Sequence, residues 1–151
     1  LQNPFNEIDK LPNLFSKLQR YAKVYDHIGS FSQLDDSIRA CLDLWERHAP
    51  YGIYNVANPG AVTTRQIVTI MQCILKPDWN FEFWKDDEEF YRDGAKAPRA
   101  NCILDVSKLL SAGIRMRSVQ DALEDSLEHW QPAVRPKERR HARPEPLPIV
   151  G

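Results

Sequence analysis

Six glycines are spread over the 151 residues, and none stands in G-x-G-x-x-G or in the P-loop pattern. Close backbone approach to a phosphate chain requires those glycines, so no dinucleotide or triphosphate cradle is encoded. No Tyr is followed four residues later by Lys, which removes a Tyr/Lys proton-transfer pair. Neither H-E-x-x-H nor G-x-S-x-G occurs, so the common zinc-hydrolase and serine-hydrolase signatures are absent. His27, His48, His129 and His141 share no metal-ligand spacing with one another or with the cysteines. As read, the chain holds no complete active site, no catalytic residue and no metal site. Cys41, Cys73 and Cys102 are odd in number and lack a C-x-x-C pair. That argues against a disulfide scaffold and fits a reducing, cytoplasmic setting. No segment approaches the ~20 apolar residues that span a bilayer, so no membrane partner is expected. The chain starts at Leu1, without Met or a basic-then-apolar leader, and is expected to continue upstream.

What is present is ordinary globular material, 42% hydrophobic and 10% aromatic. The net charge of −1 conceals an asymmetry. Residues 131–151 hold five basic and two acidic groups with five prolines, while the rest holds 15 basic and 19 acidic groups. The first 130 residues read as one acidic domain and the remainder as a disordered Pro/Arg-rich tail. An acidic body argues against nucleic acid as a partner.

Apolar spacing predicts a short helix over 13–21 and a strand over 23–27. A second helix is predicted from Ser32, capped with Asp35, through Leu34, Ile38, Cys41, Leu42 and Trp45 to a stop near Pro50. Residues 52–57 alternate as a strand. Thr63 and Gln66 form a capping box for a third helix with Ile67, Ile70, Met71 and Ile74 inward. A strand over 80–84, a short acidic helix over 86–91 and a helical turn over 107–111 closed by Gly113 follow. Ser118 opens the last helix, with Val119, Ala122, Leu123, Leu127 and Trp130 inward. The expected fold is α+β, a small mixed module of about four helices and three short strands.

Two clusters are candidates for ligand contact. Gly29-Ser30-Phe31-Ser32 lies at a strand-to-helix junction, where hydroxyls and backbone N–H groups can meet a phosphate or sugar oxygen. The plainer alternative is that Ser32 only caps its helix. Pro98-Arg99-Ala100-Asn101 leads into an extended stretch, and the Arg99 fork suits a pyrophosphate. Its alternative is a solvated loop arginine. Phe81, Phe83 and Trp84 read as core aromatics. Asp86 to Glu89 reads as acid at a helix start rather than a metal site.

Three segments, in order, carry a resemblance. Val24-Tyr25-Asp26-His27-Ile28-Gly29-Ser30-Phe31-Ser32 with Asp35-Asp36 resembles the Asp…Gly-Ser-x-Thr segment of extended short-chain dehydrogenases acting on nucleotide sugars. Gly52-Ile53-Tyr54-Asn55-Val56-Ala57-Asn58-Pro59-Gly60 is similar to their G-[IV]-Y-[NH]-[VF]-x-N-x-G segment. Ala97-Pro98-Arg99-Ala100-Asn101-Cys102-Ile103-Leu104-Asp105-Val106-Ser107-Lys108-Leu109 resembles their P-R-S-N-x-x-L-D-x-[ST]-K-L segment. Ser32 stands where Thr is usual, and Ala100 where Ser is usual. The best match is the C-terminal part of the rhamnose-forming members, the dTDP-4-dehydrorhamnose reductases and related epimerase/reductases.

The resemblance implies the C-terminal half of a Rossmann-type enzyme without its Rossmann core. In such enzymes hydride passes to a C4 keto group of a 4-keto-6-deoxy sugar while a Tyr donates the proton. The upstream half would bind NAD(P)H and supply that Tyr, and no cofactor is expected on this segment. By the same resemblance Ser30, Ser32, Arg99 and Asn101 would face a dTDP- or UDP-sugar. The expected function is therefore the substrate-binding segment of an NAD(P)-dependent nucleotide-sugar reductase or epimerase, incomplete by itself. The expected protein partner is an upstream Rossmann domain or another copy of the chain. The alternative is a stand-alone, non-enzymatic binding or interaction module.

Overall fold

The computed structural model describes residues 3–78, 80–95 and 101–133. Helices α3 (Thr64–Leu75) and α6 (Val119–Glu128) pack against each other and form the main core. Their starts are written in the sequence. Thr63 and Gln66 close the full capping box, with Gln66 N donating to Thr63 Oγ1 at 3.1 Å and Thr63 N to Gln66 Oε1 at 2.8 Å. Ser118 Oγ accepts from Asp121 N at 3.1 Å. Each side chain satisfies an N–H that the first helical turn leaves unpaired.

Ile67, Met71, Val119, Ala122, Leu123 and Leu127 are buried there with Phe5, Phe15, Phe31 and Phe81. Ile70 and Ile74 are only partly buried against this cluster, and Val68 is an unforeseen core residue. Phe15 comes from the short helix α1 (Leu14–Leu18), one turn shorter at its end than the spacing suggested. Its cap, Asn13, is a hub. Asn13 Oδ1 accepts from Phe15 N, and Nδ2 donates to Asn6 O, Asn6 Oδ1 and Ile8 O at 2.7–2.8 Å.

The strands that form are not the ones that alternation predicts. Among the described residues there are four, each of two residues: β1 (Pro4–Phe5), β2 (Ile28–Gly29), β3 (Ser32–Gln33) and β4 (Val62–Thr63). β1 runs parallel to β3, and β2 pairs antiparallel with β4. The expected strands over 23–27 and 80–84 meet at one bridge, Val24 to Phe83, with Val24 N donating to Glu82 O at 2.7 Å. Residues 52–57 join no ladder among the described residues.

Helix α2 (Leu34–Glu46) also departs from expectation. Its cap is Gln33, whose Oε1 accepts from Asp36 N at 2.7 Å, so Ser32 is not the cap. The residues it buries are Ser37 and Ala40. The predicted apolar stripe points the other way: Ile38, Leu42 and Trp45 are 57%, 54% and 76% exposed, and Cys41 is exposed. Ala40 joins a second, smaller cluster with Val56, Leu109 and Ile114. Leu109 belongs to α5 (Ser107–Ser111), which Gly113 terminates at φ 79°, a conformation that glycine adopts without strain. A three-residue helix α4 (Asp87–Glu89) runs into one wide turn, Phe90–Gly94.

The acidic run is used for structure. Asp86 caps α4 through Glu89 N, Asp87 accepts from the Tyr25 hydroxyl, and Glu89 pairs with Lys23 at 2.7 Å. The chain is still tied to the fold past residue 130. Gln131 bridges Ile8, and Ala133 N donates to Asp9 Oδ2. The predicted tail from 134 onward, with Arg135, Lys137, Arg139, Arg140 and Arg143, lies outside the described residues.

Candidate functional site

β2 is the seam of the site. On one side it pairs with β4, and on the other Gly29 bridges Cys102 in parallel. Ser30 N donates to Cys102 O at 2.9 Å, and Leu104 N donates to Ser30 Oγ at 2.9 Å. Ile28 N donates to Asn101 Oδ1 at 3.3 Å. The two family-like segments, 73 residues apart in sequence, are thus laced side by side. Glycine at 29 suits this approach, since a Cβ there would lie a tight 3.3 Å from Cys102 O. The third segment joins through Ser32, whose Oγ donates to Val56 O at 2.9 Å. Asn58 completes the junction. Its Oδ1 accepts from Gln33 N at 2.8 Å, and its Nδ2 donates to Asp36 Oδ2 and Arg117 O.

The four sequence-derived residues therefore divide. Ser30 and Ser32 are 1% and 0% exposed, with their hydroxyls used inside the protein. Asn101 is exposed at the edge of the seam. Arg99 lies outside the described residues, with 96–98 and Ala100. Spacing alone did not single out the residues that border the seam from the other side. His27 Nδ1 lies 2.9 Å from Thr64 Oγ1. Asp26 accepts from Arg65 at both N and Nε, each at 2.9 Å, and the Arg65 guanidinium sits 4.0 Å from the Phe83 ring centre. Tyr25 stacks on Phe90 at 3.8 Å and lies nearly parallel to the His27 ring at 6.1 Å. Its phenol is held well above the ordinary tyrosine range by hydrogen bonding with Tyr91, by burial and by the Asp87 carboxylate. Tyr25 therefore stays protonated across the physiological range.

A cleft of about 660 Å³ opens beside the Asn58 junction, lined by Gln33, Asp36, Arg39, Arg115, Arg117 and Asp125 among others. Its central cation is already satisfied. Arg117 forks onto Asp36 through Nε and Nη2, each at 3.1 Å, and reaches Asp125 at 2.7 Å. The cleft holds none of the sequence-derived site residues, so its size is no argument for chemistry there.

Gly29 is packed on Cys102 O, Gly94 on Trp84, and Gly52, Gly60 and Gly113 occupy positive-φ positions scattered over the chain. Among the described residues these glycines line no common strand-to-helix turn. No group of three or more possible metal ligands occurs among the described residues. No helix among them is long and apolar enough to cross a membrane.

This small mixed helix and strand fold, with its short two-stranded sheets, matches part of the fold of epimerase/reductase-like enzymes. Its homologues, over part of the chain, are nucleotide-sugar epimerases and reductases. The bifunctional dTDP-4-dehydrorhamnose 3,5-epimerase/dTDP-4-dehydrorhamnose reductase of Arabidopsis thaliana is 30% identical over 114 residues, covering 74% of this chain and 36% of that protein. The crystal structure of the UDP-rhamnose synthase of Acanthamoeba polyphaga mimivirus superposes with a TM-score of 0.71 at 21% identity, covering 84% of this chain and 43% of that one. The UDP-glucuronic acid 4-epimerase of Bacillus cereus, solved with NAD, gives a TM-score of 0.61 at 14% identity, covering 85% of this chain and 39% of that one. The chain thus spans about a third of its curated relative and less than half of either solved chain. No family model matches.

Proposed function

We propose that the chain is the substrate-binding part of an NAD(P)-dependent nucleotide-sugar reductase or epimerase, acting on a 4-keto-6-deoxy sugar linked to dTDP or UDP. The cofactor and the Tyr/Lys acid–base pair belong to polypeptide outside this sequence. The observation that carries the reading is the 30% identity to the bifunctional epimerase/reductase over 114 residues. The family-like segments within this chain meet at one seam. The chain's part in the reaction is to bind and orient. Arg99 and Asn101 supply the polar contacts to the nucleotide sugar, with the Arg99 fork suited to a pyrophosphate. Ser30 and Ser32 act one step back, pinning the backbone on which those contacts stand. Gly29 lets the two segments approach. No hydride or proton-transfer step is assigned to this chain, because its sequence holds neither G-x-G-x-x-G nor a Tyr followed four residues later by Lys.

The test is a titration of the isotope-labelled chain with UDP- and dTDP-sugars, followed by backbone chemical shifts. Saturable changes centred on 28–30 and 99–104 are expected. Silence there with both nucleotides rejects the reading and favours a non-enzymatic module.

A further inference from the structure

The cleft beside the Asn58 junction holds two kinds of charged group, those the fold uses and those it leaves open. The first kind form one chain. Arg117 bonds both oxygens of Asp36 and reaches Asp125, whose other oxygen lies 3.2 Å from His129 Nδ1. Asp36 also accepts from Asn58 Nδ2, so its carboxylate is filled. The second kind are Arg39, Arg115, Asp35 and Glu7. They line the same cleft and form no ion pair among the described residues. Asp35 and Arg39 stand four residues apart on α2, the spacing at which opposite charges pair along a helix, yet these two do not pair.

Two buried side chains in the lining add open polar groups. Gln33 is 3% exposed, and its Oε1 caps α2 while its Nε2 has no partner among the described residues. Ser126 is 2% exposed, and its hydroxyl has no hydrogen-bond partner there either. Buried polar groups are nearly always paired, because an unpaired one loses its water without gaining a replacement bond. A buried amide and a buried hydroxyl left open on one cleft are therefore donors that the fold itself does not use. Met116, half-buried in the same lining, offers an apolar contact.

We infer that this cleft is a ligand site of its own, taking a small zwitterion of the free amino-acid class. The open charges number two of each sign, so a ligand of one sign alone meets as much repulsion as attraction, and a zwitterion answers both. The guanidinium forks of Arg39 and Arg115 suit its carboxylate, with Gln33 Nε2 and the Ser126 hydroxyl as further donors. Asp35 and Glu7 take the ammonium, and the ligand's side chain lies against Met116. None of these residues is among those proposed to touch a nucleotide sugar, so this site does not depend on that one.

The test titrates the full chain, isotope-labelled, with three probes that share one aliphatic tail: L-leucine, isocaproate (the carboxylate alone) and isoamylamine (the ammonium alone). Saturable backbone shifts centred on 33–39 and 115–131 are expected with leucine, and each of the other two should bind about tenfold more weakly. Arg39→Gln, Arg115→Gln and Gln33→Glu, the last of which keeps the oxygen that caps α2, should each weaken leucine about tenfold. Ser126→Ala should weaken it about threefold. The arginine and serine variants should leave the melting temperature of the free chain unlowered, since neither group has a partner to lose. Arg92→Gln, an exposed site outside the cleft, should leave leucine binding intact. Four results would overturn the inference: no saturable binding at millimolar leucine, isocaproate or isoamylamine binding as tightly as leucine, an affinity unmoved by the arginine or Gln33 changes, or shifts centred on 28–30 and 101–104.

Discussion

Helices α3 and α2 carry comparable apolar stripes in sequence, yet they meet opposite fates. α3 lies against α6, and its Ile67 and Met71 are completely buried. α2 turns small residues inward and leaves Ile38, Leu42 and Trp45 in solvent. A stripe is a demand for a partner, and only α3 finds one within the described residues. The stability of this chain should therefore reside on the α3–α6 side, with the α2 side poised for association.

The sharpest way to break this contrast is a pair of truncations. Leu123→Ala, at a fully buried site in α6, should cost about 2–5 kcal/mol by lost burial and cavity formation. Leu42→Ala, at a half-exposed site in α2, should stay within about 0.5 kcal/mol. Urea unfolding of both variants checks this, and comparable losses would show that the α2 face is already covered.

Next comes the hinge between the two regions. Asn58→Ala removes three side-chain hydrogen bonds and strands the buried N–H of Gln33, so a loss of about 2–3 kcal/mol is expected in the same assay. Thr63→Ala removes the cap of α3 and should cost about 1 kcal/mol. Asn101→Ala, at an exposed site, should change stability least, by less than about 1 kcal/mol. It should nonetheless remove nucleotide-sugar affinity in calorimetric titration if the proposed site is right.

The smallest effects are electrostatic. Arg117 holds the Asp125 carboxyl below its ordinary 3.8 by hydrogen bonding. A lowered folded pKa contributes stability that is present above 3.8 and is lost as pH falls through the folded value. His129 is raised above 6.5, first by its hydrogen bond to the Asp125 backbone carbonyl. Its contribution is complete below 6.5 and fades as pH rises through the folded value. Urea midpoints followed from pH ~3 to ~8 should show both slopes, and Asp125→Asn should flatten the acidic one. Both side chains are exposed enough that neither effect should rival the core truncation.

How far the sequence could be read follows from the range of the forces involved. Helix starts are local. Thr63 with Gln66 and Ser118 with Asp121 were legible because a cap needs only three neighbouring residues. The cap of α2 was misplaced by one residue, because Ser32 was drawn away to Val56, 24 residues distant. The strands were the least legible. Alternation marks a segment able to pair, but pairing requires a partner that the segment does not specify. So 52–57 has the pattern without a ladder, while β1 and β3 have a ladder without a convincing pattern. At the candidate site, the segments carrying Ser30, Asn101 and Asn58 were visible as motifs. That Ser30 and Ser32 spend their hydroxyls internally was not, since that depends on contacts across the fold.

By itself the sequence determined where helices begin, which side chains of α3 and α6 are apolar, and that no glycine-built cofactor cradle is encoded. Only the tertiary structure decided which stripes became core, which strands paired, and which segments were laced together at Gly29. Propensity and capping act over three or four residues, whereas burial and pairing depend on what the rest of the chain brings alongside. For α2, the described residues bring nothing to its outer face.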